Sequence, residues 1–398
     1  MSASSRSSAK LFQPIVLGMP SELYKLDRLT LQHRIVMAPL TRCRAVVGDC
    51  VQNEHAAKYY SQRATKGGLI VAEASQISPQ AQGYPNSPGI YSQEQIEGWK
   101  KITQAVHQVG GFIFCQLWHV GRQRYADSVS SSAVGLTLKQ TNLKTREPVV
   151  PEAPKALTVE EIAKVVEQYG IAAKNAKLAG FDGVELHGGK FFHYGLIIVL
   201  ANGYLIDQFL QDGVNKRTDQ YGGSFENRTR FLKEALTSII NAWDGESHRV
   251  GVRLSPNGSF LEISDSNPNA LFAHVVKELD KFNLGYLHLV EPRVAGGAAN
   301  DNGEAEQKPI VVTKDLKPLI RSPVISAGGY TAETALEAVE SGVCDMIAFG
   351  RYFISNPDLV ERIRNNRPFN KYNRATFYYS QDLVTGYTDY PTYEQLQQ

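Results

Sequence analysis

Short apolar runs alternate with longer stretches of helical periodicity, and the alternation repeats eight times along the chain. The candidate strands are residues 34–38, 68–74, 112–118, 183–187, 249–254, 286–291, 324–327 and 345–349. Most are continuously apolar, as expected of parallel strands covered on both faces. The segments between them carry helix signals. Thr158 and Glu161 have capping-box spacing, and Ile162, Val165, Val166, Tyr169, Ala173 and Ala176 follow on one helical face. Residues 226–243 and 269–282 are amphipathic, and Asn356-Pro357 predicts a cap and a first-turn proline ahead of Leu359 and Ile363. Eight such units predict an α/β fold, a single-domain (β/α)8 TIM barrel. A doubly wound open sheet competes, but no GxGxxG follows the first strand.

The length of 398 residues suits two or three ordinary domains, or one barrel with insertions. With 42% hydrophobic and 21% charged residues, disorder is excluded for the bulk of the chain. Lys and Arg total 42 against 40 for Asp and Glu, so no basic field points to nucleic acid. Cys43, Cys50, Cys115 and Cys344 lie far apart without metal-site spacing, so neither a disulfide framework nor a metal centre is expected. The longest apolar run, near residues 196–200, is far below the ~20 residues that span a bilayer. Residues 1–10 are serine-rich and read as a disordered N-terminal segment without the apolar core of a signal peptide. We expect no membrane contact, a cytoplasmic location, and a monomer or homodimer. The barrel is assigned to residues 11–393. Two stretches depart from the repeat: 121–155, a polar excursion after the third strand, and 373–391, an aromatic C-terminal tail expected to fold back over a face.

Active sites of such barrels lie at the C-terminal ends of the strands. The first strand ends in Pro39-Leu40-Thr41-Arg42 and the second near Ala74-Ser75. The third ends in Gln116-Leu117-Trp118-His119 and the fourth in Glu185-Leu186-His187. The fifth carries Arg253, and the sixth ends in Glu291-Pro292-Arg293. The seventh and eighth end in Gly328-Gly329 and Gly350-Arg351, where barrels of this kind hold phosphate. Glycines let backbone amides approach an anion closely, and an arginine adds a two-pronged cation. Thr331 at a helix start extends that anion site.

Longer motifs sharpen the reading. They are MAPLTRCRA (37–45), YYSQRATKGGLIVAEA (59–74), GGFIFCQLWHVGR (110–122), PKALTVEEI (154–162), NKRTDQYGGSFENRTRF (215–231), SAGGY (326–330) and YNRATFYYSQDLVTGYTDYP (372–391). Through them the chain resembles the old yellow enzyme family, close to its 12-oxophytodienoate reductase branch, over nearly its whole length. The resemblance implies an FMN-dependent reductase that takes hydride from NADPH and delivers it to activated C=C bonds. It implies that Thr41 bonds the flavin near O4 and N5, that Pro39, Leu40 and Ala74 contact the ring, and that Gln116 holds its pyrimidine edge. Arg253 would stand near N1 and O2, where reduced flavin carries negative charge. Gly328, Gly329, Gly350 and Arg351 would hold the phosphate. His187 and Asn202 would grip the substrate carbonyl, Tyr204 would donate the proton to the α-carbon, and Trp118 and Tyr378 would line the substrate side. Two other classes stay open beside this one: a flavin-binding barrel without turnover, and a barrel lyase or phosphate-binding enzyme without flavin.

One departure stands out. The family reads His-Gly-Ala-Asn without interruption. Here twelve residues, GKFFHYGLIIVL at 189–200, separate His187-Gly188 from Ala201-Asn202, so the pair stands fifteen positions apart instead of three. Either the insert loops out with its ends close, or it displaces Asn202 and Tyr204 and catalysis fails, or His193 replaces the missing partner. A further reading makes the segment a retained in-frame intron, which transcript sequencing checks.

Overall fold

The computed structural model describes residues 6–19, 28–142, 145, 147–188, 203–256, 262–291, 313–378 and 382–398. Eight parallel strands close into a barrel in sequence order: β1 (Ile35–Met37), β2 (Leu69–Gln76), β3 (Phe112–Trp118), β4 (Gly183–His187), β5 (Val250–Leu254), β6 (Tyr286–Val290), β7 (Val324–Ala327) and β8 (Met346–Phe349). The open-sheet alternative is excluded, because β8 pairs with β1.

Helices alternate with these strands: α1 (Ala56–Ser61), α2 (Gln93–Gln108), α3 (Val159–Leu178), α4 (Leu205–Leu210), α5 (Phe225–Ala242), α6 (Pro268–Asp280), α7 (Thr313–Leu316), α8 (Ala332–Glu340), α9 (Arg351–Ser355) and α10 (Leu359–Arg364). The expected capping box of α3 forms: Thr158 accepts from the Glu161 amide at 3.2 Å, and Glu161 accepts from the Thr158 amide at 3.0 Å. Asn356-Pro357 behaves differently from expectation. Asn356 ends α9, where its side chain donates to the Tyr352 carbonyl and accepts from the Asn370 amide, and α10 starts only after Asp358. An asparagine satisfied by the preceding turn and by Asn370 has no acceptor left to cap the next helix.

The excursion after β3 holds two small two-stranded sheets, pairing Val129–Ser130 with Lys155–Ala156 and Gln140–Thr141 with Pro148–Val149. The tail does fold back. Tyr387 stacks on Tyr59 of α1 with ring centroids 4.1 Å apart, and Arg42 reaches the carbonyls of Phe377 and Gly386. No helix among the described residues is long and apolar enough to cross a membrane.

Side chains along each strand alternate between two cores. Outward-facing residues such as Ile35, Ile113, Cys115, Leu117, Val184, Leu186, Val252 and Leu287 pack under the helices. Inward-facing residues such as Val36, Val71, Phe114, Tyr286, Ile325 and Ala348 fill the barrel with Leu17, Leu29 and Leu31 at its floor. The next inward positions along β3 to β6 are no longer apolar: they are Gln116, Glu185, Arg253 and His288. Glycine makes the layer beneath possible. A Cβ at Gly183 would meet the Phe114 ring at 2.4 Å, and one at Gly251 would meet Tyr286 at 2.4 Å. Those two aromatic rings occupy the width that two missing side chains leave, and they form the platform on which the polar layer rests.

Candidate active site

Register alone assembles the polar layer. Glu185 is the ladder partner of Gln116, and Arg253 is the ladder partner of both His187 and His288. Glu185 accepts from the Gln116 amide at 2.6 Å through one oxygen and from His288 Nδ1 at 2.8 Å through the other. All four side chains are buried. Burial would push the Glu185 carboxyl up, but His288, Arg253 and Gln116 together hold it below the usual carboxylate range, so it is an anion. Arg253 is fully buried, and desolvation lowers its guanidinium to about 10 against the pull of Glu185. None of its three guanidinium nitrogens has a hydrogen-bond partner among the described residues. A buried arginine with five unspent N–H groups is costly unless an acceptor is meant to reach it. The pyrimidine edge of a flavin is an acceptor of that kind.

The rim around this layer holds the other expected contacts. Pro39, Leu40 and Thr41 follow β1 directly and are all buried, as is Ala74 in β2. β2 bulges between Val71 and Ala74, which re-aims its end toward the mouth. Gly328 and Gly329 leave β7 with φ of 135° and 64°, a turn that favours glycine and carries the chain to Thr331, which caps α8. Gly350 follows β8 as the N-cap of α9, and a Cβ there would press within 3.2 Å of Leu40. Arg351 opens α9 with its side chain within 3.0 Å of the Tyr372 hydroxyl.

Three of the residues expected on the substrate side, Trp118, His187 and Tyr204, meet across the interruption. The His187 and Tyr204 rings lie 5.2 Å apart, Trp118 and Tyr204 pack edge to face at 5.1 Å, and Trp118 and His187 stand at 6.1 Å. Gly188 is held to β5 through the Arg253 carbonyl, whereas Gly203 donates to Asp207 and α4 starts at Leu205, whose amide donates to the His119 carbonyl. Gln208 ties α4 further to the segment after β3, donating to Val120 O at 3.1 Å and accepting from the Arg122 amide at 3.1 Å. Burial and the neighbouring Tyr84 push the Tyr204 phenol well above its ordinary value, so it carries its proton at neutral pH. Asn202, His193 and the whole insert 189–200 lie outside the described residues. Tyr378 is half-buried, next to Phe377.

Three polar residues of this mouth carry no role in the sequence reading, although Glu185 is named there on its strand end. Tyr84 stacks on Trp118 at 5.5 Å and shares a 3.3 Å hydroxyl contact with Tyr204. It sits in a loop with no periodicity to single it out. Glu185 and His288 carried a weak signal: each is a charged or titratable residue inside an otherwise apolar strand. His119, by contrast, is buried with its ring pushed down to about 3 by desolvation, and its Nδ1 serves the Gly121 amide.

Comparison with known proteins agrees with the fold. The chain is 42% identical to 12-oxophytodienoate reductase 7 of Oryza sativa subsp. japonica, covering 97% of this chain and 95% of that one. It is 43% identical to 12-oxophytodienoate reductase 2 of Arabidopsis thaliana, covering 93% and 95%. Among solved structures, the old yellow enzyme homologue from Zymomonas mobilis superposes with a TM-score of 0.82 at 38% identity, covering 96% of this chain and 99% of that one. Morphinone reductase in complex with tetrahydroNAD superposes with a TM-score of 0.81 at 37% identity, covering 96% and 97%. Residues 10–370 match the NADH:flavin oxidoreductase / NADH oxidase family, and the chain belongs to it, as an old yellow enzyme homologue close to the 12-oxophytodienoate reductases.

Proposed function

We propose that this protein reduces the C=C bond of α,β-unsaturated carbonyl compounds, with NADPH as reductant and cyclopentenones of the oxylipin class among its substrates. The substrate class follows the names of its reductase relatives. FMN bound at the barrel mouth supplies the hydride for the β-carbon. Gln116 and Arg253 hold the pyrimidine edge, Thr41 bonds the O4 and N5 side, and Pro39, Leu40 and Ala74 flank the ring. Gly328, Gly329, Gly350 and Arg351 bind the phosphate. His187 and Asn202 donate to the carbonyl oxygen of the acceptor, where negative charge develops. Tyr204, kept protonated by its burial, gives its proton to the α-carbon. Trp118 and Tyr378 line the substrate side.

One observation carries the reading. His187 and Tyr204, separated in sequence by the insert, have their rings 5.2 Å apart beside the strand end that carries Arg253. A chain disabled by the insert would be expected to separate them. The test is steady-state reduction of 2-cyclohexenone by NADPH and by NADH, with and without residues 189–200. We expect turnover by the intact chain and preference for NADPH. Flavin that is bleached by NADPH yet never reoxidised by an enone, with turnover restored by the deletion, would sink the proposal in favour of an inhibited flavin-binding barrel.

A further inference from the structure

We propose that Glu185 and His288 form a positioning pair that aligns Gln116 and tempers the charge of Arg253 toward the flavin, an inference that rests on FMN occupying this barrel mouth. The argument starts from what each group can donate. The Glu185 carboxylate only accepts, so the Gln116 group 2.6 Å away is its amide nitrogen. That fixes the side-chain orientation. It leaves the second amide hydrogen and the carbonyl of Gln116 for a partner that offers both an acceptor and an N–H, as the pyrimidine edge of a flavin does. Left alone, a glutamine amide rotates between two nearly equal orientations. Tied to a carboxylate, it has one.

The second oxygen of Glu185 is occupied by His288 Nδ1 at 2.8 Å, so the carboxylate cannot swing away from Gln116. The Glu185 and His288 side chains are both fully buried. The charge balance follows from the same contacts. Arg253 and Glu185 lie on adjacent strands in one inward layer, with the arginine nitrogens unspent among the described residues. The carboxylate therefore offsets part of the cation that faces the N1 and O2 edge, where negative charge collects when the ring is reduced. Glu185 and His288 touch neither substrate nor reacting atoms on this account. They act through Gln116 and Arg253.

The experiment reads the two-electron potential of the FMN-loaded protein by dye equilibration, and FMN affinity by fluorescence. Three variants are compared with wild type: Glu185→Gln, His288→Leu and His288→Asn. Glu185→Gln removes the anion and should move the potential in the positive direction while weakening FMN binding about tenfold, the worth of one charge-assisted bond. His288→Leu unties the carboxylate that orients Gln116 and should weaken FMN binding as Glu185→Gln does. His288→Asn keeps a donor toward Glu185 and should stay near wild type in affinity. If Glu185→Gln and His288→Leu bind FMN as tightly as wild type at an unchanged potential, the pair has no positioning role. If His288→Asn loses affinity as fully as His288→Leu, the donor role assigned to Nδ1 is wrong. If Glu185→Gln does not fold, the two His288 variants decide alone. Wild-type protein that takes up no FMN would overturn the flavin reading itself, which separates that failure from failure of the pair.

Discussion

Gln116, Glu185, Arg253 and His288 meet because four parallel strands hold them in register. Tyr84, Trp118, His187 and Tyr204 meet because a loop, two strand ends and the start of a short helix deliver them to one place. The first group is charged, fully enclosed and fixed by backbone ladders. The second is aromatic, linked by ring packing and a 3.3 Å hydroxyl contact. The difference teaches where each half of the chemistry can tolerate change. A ladder cannot slip by one residue without turning every side chain to the other face. A cluster built from loops can absorb added chain, provided its anchors hold.

If the two groups serve cofactor and substrate separately, changes in one should spare the other. The largest effect is expected for Tyr204→Phe, which should lower enone turnover about 10³-fold by removing the proton donor. Reduction of bound FMN by NADPH in a single-turnover experiment should continue at the wild-type rate. A matching loss in that half-reaction would break the separation. Arg253→Met should act in the opposite sense. Loss of the buried cation should cost FMN binding about 3 kcal/mol, roughly a hundredfold in affinity by fluorescence titration. Unchanged FMN affinity would mean that the charged layer serves the fold alone. A smaller effect belongs to Arg351→Gln, which should weaken FMN about tenfold and weaken riboflavin, which lacks the phosphate, scarcely at all. Equal losses for both ligands would place the phosphate elsewhere.

The smallest effect concerns the anchor of the aromatic cluster. Burial raises the Asp207 carboxyl from 3.8 to about 7, against the bonds it accepts from Gln211 and Gly203. Between those values the folded chain keeps a proton that the unfolded chain loses. The group therefore favours folding fully below 3.8, and that contribution fades as pH rises to about 7. Asp207→Asn cannot titrate there. The melting temperature of wild type relative to this variant should fall steadily between about pH 4 and pH 7. A constant difference across that range would show that Asp207 carries no such linkage.

The barrel was legible because its strands and helices carry opposite periodicities. Residues 112–118, 183–187 and 324–327 match the observed strands at both ends, and the other five differ by one or two residues at their margins. Asn356-Pro357 misled because a capping residue is defined by the acceptor it has free, and here the Asn370 amide claims it. The residues proposed to hold the cofactor stand on strand ends, where the sequence can be asked what lies there. Glu185 is visible on its strand end, but its role, like that of His288, is not, because it depends on a contact across 103 positions, made by two strands that β5 separates in sequence and bridges in space. Tyr84 escaped for a related reason: its partner Tyr204 is 120 positions away, and nothing in its loop repeats.

The bonds that fasten α4 have a consequence for how such a chain can change over time. Tyr204 stands at the head of α4, which is fastened to the segment after β3 through Leu205 on His119 and Gln208 on Val120 and Arg122. The number of residues between the histidine and the tyrosine is thereby released from the geometry of the reaction. Chain added between them leaves Tyr204 moored, which makes this stretch a natural place for a lineage to experiment.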